Sequence, residues 1–508
     1  MSVLCAYLTY VYPPFDVRRS TMPLRFDLSQ HGRLFRPKRR RSTLAVLSSL
    51  ASETTETDVV YPLKGSGSPR SPFNRLPIEL QAEIFTYCLS DFPRLNSSEA
   101  PFLIATVCKA WKLVVMSTPK LWSSFEIEVS EGSSTTAQRG LHFEKVLKIW
   151  LQRSQNHPLS VRVIHIPVGQ IADPLSERML ELLISEARRW RYVQFIIPTS
   201  NMASLRPKFP THFPNLQFFS LQLKGFWTPE PAINIVTINI PWHQLTSLDL
   251  QMEPNNLPTL DDALTILSRA ERLRRCTICA NCALERNQDR NELDLPLLEY
   301  LKLILQGGIQ NIGSSQEDAV SSLVNYLCLL STPSLQTLDI IWLVQAPSSW
   351  SVGHAHFMSF FRQISSTLRI LCISYLPISE AELLDCLEQA PNVTDLHLRF
   401  SLSDLEGDPL TNHFFSSLTV GTRISLHQVG NLLPRLSTLS LQCNGLRLSH
   451  SILLEMVQSR WDKDANPHIR LNHFRLLSMK PMLYEVQKRT MLWFDEGLDI
   501  TVDTLFIQ

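Results

Sequence analysis

From about residue 213 the chain repeats one spacing of apolar positions, Leu-x-x-Leu-x-Leu. The copies are Leu216, Phe219, Leu221; Leu245, Leu248, Leu250; Leu273, Cys276, Ile278; Leu298, Leu301, Leu303; Leu335, Leu338, Ile340; Leu368, Leu371, Ile373; Val393, Leu396, Leu398; and Leu436, Leu439, Leu441, with a weaker ninth at Leu471, Phe474, Leu476. Their first positions lie 25 to 43 residues apart. The last two apolar positions of each copy are two residues apart, the period of a strand with one buried face. Segments of helical period lie between copies, at 260–270, 317–330, 354–364, 379–389 and 449–461. Upstream, the pattern predicts strands at 125–129, 161–166 and 192–197 and helices at 139–154 and 175–190. One strand–helix unit cannot bury its own apolar face. Stacking the units into a parallel sheet with outer helices makes a continuous core. A doubly wound open sheet would need longer apolar strands and a glycine-rich first turn, and neither is present.

The densest apolar and aromatic stretch lies ahead of the repeats, at 73–122. Some fifty residues are too few to bury that surface alone, so the stretch docks on the rest of the chain or on a partner. Pro77 suits the first turn of a helix, with Asn74 upstream as its N-cap. Leu76, Leu80, Ile84 and Cys88 recur every four residues, with Phe85 and Leu89 beside them and Glu79, Gln81 and Glu83 off the stripe. This is an amphipathic period. A second helix is expected over 101–115, carrying Ile104, Val107, Cys108, Trp111 and Val115 on one face and ended by Pro119. The intervening loop, 90–100, reads as a tolerated insertion. The repeats are expected to close their own core without this stretch, which favours a partner-facing role for it.

The same residues resemble the F-box, most closely its basidiomycete-type variants. Leu76, Pro77 and Glu79 match its start; Ile84, Phe85, Cys88 and Leu89 its first helix; Val107, Cys108, Lys109 and Trp111 its second; and Thr118, Pro119, Leu121 and Trp122 its close. The downstream units resemble leucine-rich repeats of long, irregular type. Their usual Asn after the template is present at Asn281 and Asn444 and missing from most other copies, which predicts looser turns. The expected architecture is α/β: a basic disordered tail and linker at 1–72, a small all-helical F-box-like module at 73–122, and a leucine-rich-repeat solenoid at 123–508. The resemblance implies a non-catalytic substrate-recognition subunit of an SCF-type cullin-RING ubiquitin ligase. A Skp-family adaptor, and through it a cullin, would bind Leu76, Pro77, Leu80, Ile84, Phe85, Leu89, Val107, Trp111, Leu121 and Trp122. Leu121 and Trp122 run straight into the strand at Phe125, so packing on the first repeat is the alternative for them. The alternative function is a leucine-rich-repeat scaffold acting outside ubiquitination.

A target protein, unidentified by the sequence, would meet the concave face, where strand residues alternate with the buried ones. Asp249, Lys302, Asp339, His397 and Arg399 are candidates there, and Trp342 and Trp350 are candidate anchors or core residues. Aromatic and Arg side chains commonly anchor such contacts.

Composition adds bounds. The 508 residues are 44% hydrophobic and 19% charged with net charge +1, which favours neither nucleic acid nor an anionic membrane as partner. Residues 1–72 carry +6 and the remainder −5. The basic run at 36–41 is either an ordinary basic run of a disordered tail or a nuclear-import signal. No leader-like start and no run of about 18 apolar residues is evident. The ten cysteines therefore read as reduced thiols in cytoplasm or nucleus. Cys276, Cys279 and Cys282 have metal-like spacing, but a strand turns Cys276 and Cys279 to opposite faces. His354 and His356 lack further ligands nearby, and Asp261-Asp262 suits a helix start. No cofactor or metal is expected.

Overall fold

The computed structural model describes residues 72–505, except 130–136, 167–173, 202–211, 225–233, 254–255, 285–290, 308–318, 345–348, 403–406, 422–430 and 462–469. All of these residues belong to one unit, Pro62–Gln508. The expected tail and its basic run lie outside the described residues.

Strand β1 (Ser124–Val129) opens a sheet in which thirteen parallel strands follow one another in sequence order. The others are β2 (Leu159–His165), β3 (Trp190–Pro198), β4 (Phe218–Lys224), β5 (Ser247–Gln251), β6 (Arg275–Ala280), β7 (Tyr300–Gly307), β8 (Thr337–Val344), β9 (Ile370–Ser374), β10 (Asp395–Arg399), β11 (Thr438–Cys443), β12 (His473–Ser478) and β13 (Asp499–Thr504). Helices α1 (Ile78–Tyr87), α2 (Phe102–Ala105) and α3 (Lys109–Ser117) precede the sheet. The crossovers carry α4 (Ala137–Arg153), α5 (Pro174–Ser185), α6 (Leu260–Leu267), α7 (Ala319–Cys328), α8 (His354–Ile364), α9 (Glu380–Glu388), α10 (Asn412–Leu418), α11 (His450–Trp461) and α12 (Tyr484–Asp495). Crossovers between parallel strands are right-handed. When every step moves the same way along the sheet, that handedness places the helices on one face.

The apolar template specifies this sheet directly. All 27 template positions, the weak ninth copy included, are 2% exposed or less. The alternate positions are half-buried, so β5 and β10 each read half-buried, buried, half-buried, buried, half-buried. A second device keeps the register constant. Just before each strand a backbone N–H reaches the preceding repeat's carbonyl: Thr246 to Gln217, Arg274 to Thr246, Glu299 to Arg274, Gln336 to Glu299, and onward to Asn472 and Ser437, at 2.8–2.9 Å. Pairing therefore stays parallel through every template copy, despite uneven spacing and the missing Asn residues.

Where Asn444 is present it is buried, donating its N–H to Asp408 and accepting from the Leu446 N–H. Gly445 follows at φ +73°, where a Cβ would stand 2.6 Å from the Ser478 hydroxyl. Helix starts are locally encoded too. Thr259 and Asp262 form a reciprocal capping box on α6, as do Ser379 and Glu382 on α9.

Arg460 on α11 is fully buried and, among the described residues, faces no carboxylate. Its guanidinium donates to the carbonyls of Leu418 (2.7 Å), Leu433 (3.2 Å) and Leu432 (2.7 Å), and burial pulls its pKa down to about 10. Arg460→Met is expected to lower unfolding stability by at least about 1–3 kcal/mol, the cost of one orphaned buried acceptor. Urea denaturation of the two proteins measures this.

Several expectations are corrected. Asn74 is not a cap; it lies in a 3-10 turn, Pro72–Arg75, and α1 starts after Pro77 with no side-chain cap. The helix expected over 101–115 is broken into α2 and α3. The Cys108 Sγ accepts the Trp111 N–H and caps a fresh helix start. Helices α10 and α12 and strand β13 are additional to the expected elements.

Candidate functional site

Two surfaces stand out, and the segment 72–122 builds the first. Pro72–Arg75, α1 and α3 close on an aromatic triad, Phe73, Phe85 and Trp111, with ring centroids 4.9–5.5 Å apart. Gln81, expected on the polar side, is buried and donates to the Leu76 carbonyl at 2.8 Å. The inward face of α1 is thus Gln81 and Phe85, and the apolar stripe Leu80–Ile84–Cys88 points outward.

The described chain has 17 exposed large apolar side chains. Seven of them fall in this short segment: Ile78, Leu80, Ile84, Tyr87, Leu103, Val107 and Leu113. Monomer surfaces scatter such residues singly, and concentration of them marks an interaction site. Of the expected adaptor residues, Pro77, Leu80, Ile84 and Val107 are exposed, and Leu76, Leu89 and Trp111 are half-buried. Phe85, Leu121 and Trp122 are interior. Ile78, Tyr87, Leu103 and Leu113 are outside the expected set.

The segment is also fused to the sheet, contrary to the expectation that the repeats close without it. Trp122 packs edge-on against Phe102 (5.1 Å) and Trp150 of α4 (5.2 Å), and Trp150 meets Phe102 (5.4 Å) and Phe125 of β1 (6.0 Å). The Trp122 indole donates to the Val115 carbonyl at 2.9 Å.

The 90–100 loop, read as a tolerated insertion, is a structural clasp. The Pro93 carbonyl accepts the Glu126 N–H at 2.9 Å, and Arg94 forms a parallel bridge to Glu126. Arg94 also pairs with Glu126 (3.4 Å) and Glu128 (3.2 Å). This covers part of an edge strand that would otherwise be open to foreign pairing. Phe92 reaches further, to Tyr192 of β3 (5.0 Å) under the Arg162 guanidinium (4.2 Å).

The second surface is the sheet face turned away from the helices. Register places Asp249, Lys302, Asp339 and His397 in one row across it, with Arg399 one step along β10. Lys302 and Asp339 form a half-buried ion pair at 2.9 Å. Burial opposes the Lys302 charge, yet the adjacent Asp339 carboxylate outweighs it and the ammonium pKa is raised. Burial lowers the His397 pKa. Trp342 is not on this face: it is the third inward residue of β8 after Leu338 and Ile340, 5% exposed. Trp350 is core as well, edge-on to Phe357 at 4.9 Å.

The remaining candidates have structural partners. Burial raises the thiol pKa of both Cys276 and Cys279, Cys279 to about 12, which disfavours the thiolate a metal would need. His354 faces Asp385 at 3.3 Å, and the His356 carbonyl accepts from Cys328. Among the described residues no group of three or more side chains is arranged to hold a metal, and no helix is long and apolar enough to cross a membrane.

No family model matches the chain, and no curated protein matches it.

Proposed function

We propose that this chain is the substrate-recognition subunit of an SCF-type ubiquitin ligase: an F-box-like helical segment takes the Skp-family adaptor, and a leucine-rich-repeat sheet presents a target protein. The observation that carries the reading is the split within residues 72–122. Part of the segment is locked to the sheet through Trp122, Phe102 and Trp150, while its helices and their links leave seven large apolar side chains exposed. That is the construction of a rigid mount for a partner. Fully burying a Leu-sized side chain is worth about 1.5–3 kcal/mol, so a few of the seven offset the cost of association.

The polar row on the open sheet face, with its paired charges, supports a recognition surface rather than a reaction centre. The proposal is tested by co-purification of the full chain. A stoichiometric Skp-family adaptor that also brings cullin is expected. Adaptor without cullin would move the chain to scaffolding outside ubiquitination, and recovery of neither would overturn the reading.

A further inference from the structure

Two ion pairs lie on the open sheet face. Arg162 meets Glu126 at 3.2 Å and Lys302 meets Asp339 at 2.9 Å. Asp249, at the centre of β5, meets only neutral donors. The Ser220 hydroxyl (3.0 Å) and the Gln222 amide (3.3 Å) donate to its Oδ2, and the Gln251 amide (3.0 Å) donates to its Oδ1. A carboxylate offers about four acceptor positions, so capacity for a further donor remains, on the oxygen that has one bond.

Among the described residues no cation lies within ion-pairing distance of this carboxylate. Lys302, two strands on in the same row, acts on it only at longer range. The carboxylate is half-buried, and that burial raises its pKa. A half-buried carboxylate with no cation beside it, on a surface that a partner approaches, favours a cation that completes it.

The neighbourhood sets the approach. Tyr192 and Phe218 stack at 3.8 Å with planes 7° apart, and Phe92 backs them. Phe218 pairs with Ser247, two residues before Asp249 on the same face, so this aromatic wall borders the carboxylate. On the other side Arg275 is turned onto the Tyr300 ring (4.4 Å).

We propose that Asp249 is the receptor for a lysine or arginine side chain of an extended segment of the target protein, seated against the Tyr192–Phe218 wall. This deepens, and rests on, the reading of the open face as the target-binding surface. The three neutral donors fix the carboxylate in place and leave the cation to the guest.

The test is selection of a displayed random dodecapeptide library on the full chain, wild type and Asp249→Asn. Wild type is expected to enrich peptides with Lys or Arg at one position. Selected peptides are expected to bind Asp249→Asn at least about 30-fold more weakly, as for loss of one partner of a buried charged pair. Absence of basic enrichment, absence of any selected peptide, or equal binding by both proteins overturns the proposal.

A folding control separates recognition from structure. A carboxylate whose pKa is raised in the native state holds its proton more tightly there, so its ionisation lowers stability as pH rises past the unfolded value. Tyr192, Cys276 and Cys279, which also act on or feel this carboxylate, are neutral at pH 7. Asp249→Asn keeps one acceptor oxygen and replaces the other by a donor, so relief of the half-buried charge and loss of one accepted bond oppose each other; a melting temperature close to that of wild type is expected at pH 7, and a large drop would mark Asp249 as a structural residue instead. Adaptor capture by the helical segment is unaffected by either outcome, so failure here and failure of the ligase reading are distinguishable.

Discussion

Replacing Leu80, Ile84 and Tyr87 together by glutamate is expected to abolish capture of the Skp-family adaptor while the chain stays folded. The three lie at i, i+4 and i+7 of α1 and share one face of that helix. They are 51%, 41% and 82% exposed, so only part of the Leu80 and Ile84 packing is lost on substitution. Glutamate is a good helix former, and exposed substitutions of this kind usually change stability by less than about 0.5 kcal/mol each. Binding, by contrast, would lose three apolar contacts and gain three charges to desolvate. At about 1.5 kcal/mol or more per contact, the loss exceeds a thousandfold in affinity. Calorimetric titration with purified adaptor measures it, with melting temperature as the folding control. Affinity within a few-fold of wild type would sink the reading of these helices as an adaptor mount. Phe85→Ala with Trp111→Ala tests something different, because both rings belong to the triad with Phe73 that holds α1 to α3.

This experiment depends on which face of α1 turns outward, and that was the part of the site hidden in the sequence. A four-residue period shows that Leu76, Leu80, Ile84 and Cys88 share a face; it does not say whether the face meets the core. The deciding contacts come from Phe73 and Trp111, one outside the helix and one on α3, both non-local. The repeats were legible for the opposite reason. Each Leu-x-x-Leu-x-Leu copy is local, fixes its strand's inward side by alternation, and repeats often enough to locate the sheet. The same alternation assigned Asp249, Lys302 and His397 to the open face. It assigns Trp342 inward as well, two residues beyond Ile340, although the size of the side chain suggested an anchor. Outside the template, β1–β3, α4 and α5 were legible from period alone, and the elements with the weakest period were not. Strand β13, Asp-Ile-Thr-Val-Asp-Thr, has no Leu, and α10 is only seven residues long. Helix α12 buries Val486 and Trp493 yet exposes Tyr484, Met491 and Phe494, so no clean stripe appears.

The clasp between the helical segment and the sheet makes the second large effect a matter of coupling. Trp150→Ala is expected to destabilise the chain by about 3–5 kcal/mol, the usual range for removing a buried aromatic side chain. Trp150 is fully buried and touches the rings of Phe102, Trp122 and Phe125, which come from α2, the turn after α3, and β1. The cavity therefore opens where segment and sheet meet, rather than inside either. Trp150→Phe should cost much less, because the ring contacts persist in part and the indole N–H has no acceptor among the described residues to lose. Urea denaturation gives the stability difference, and amide hydrogen exchange shows where it falls. If the segment and the first repeats are one cooperative unit, protection in Trp150→Ala drops both in α3 and in β1 and β2. A drop confined to the strands would mean that residues 72–122 fold and act independently. Under the coupled outcome the adaptor mount is rigid because the sheet holds it, so Trp150→Ala should also weaken adaptor capture without touching any exposed side chain.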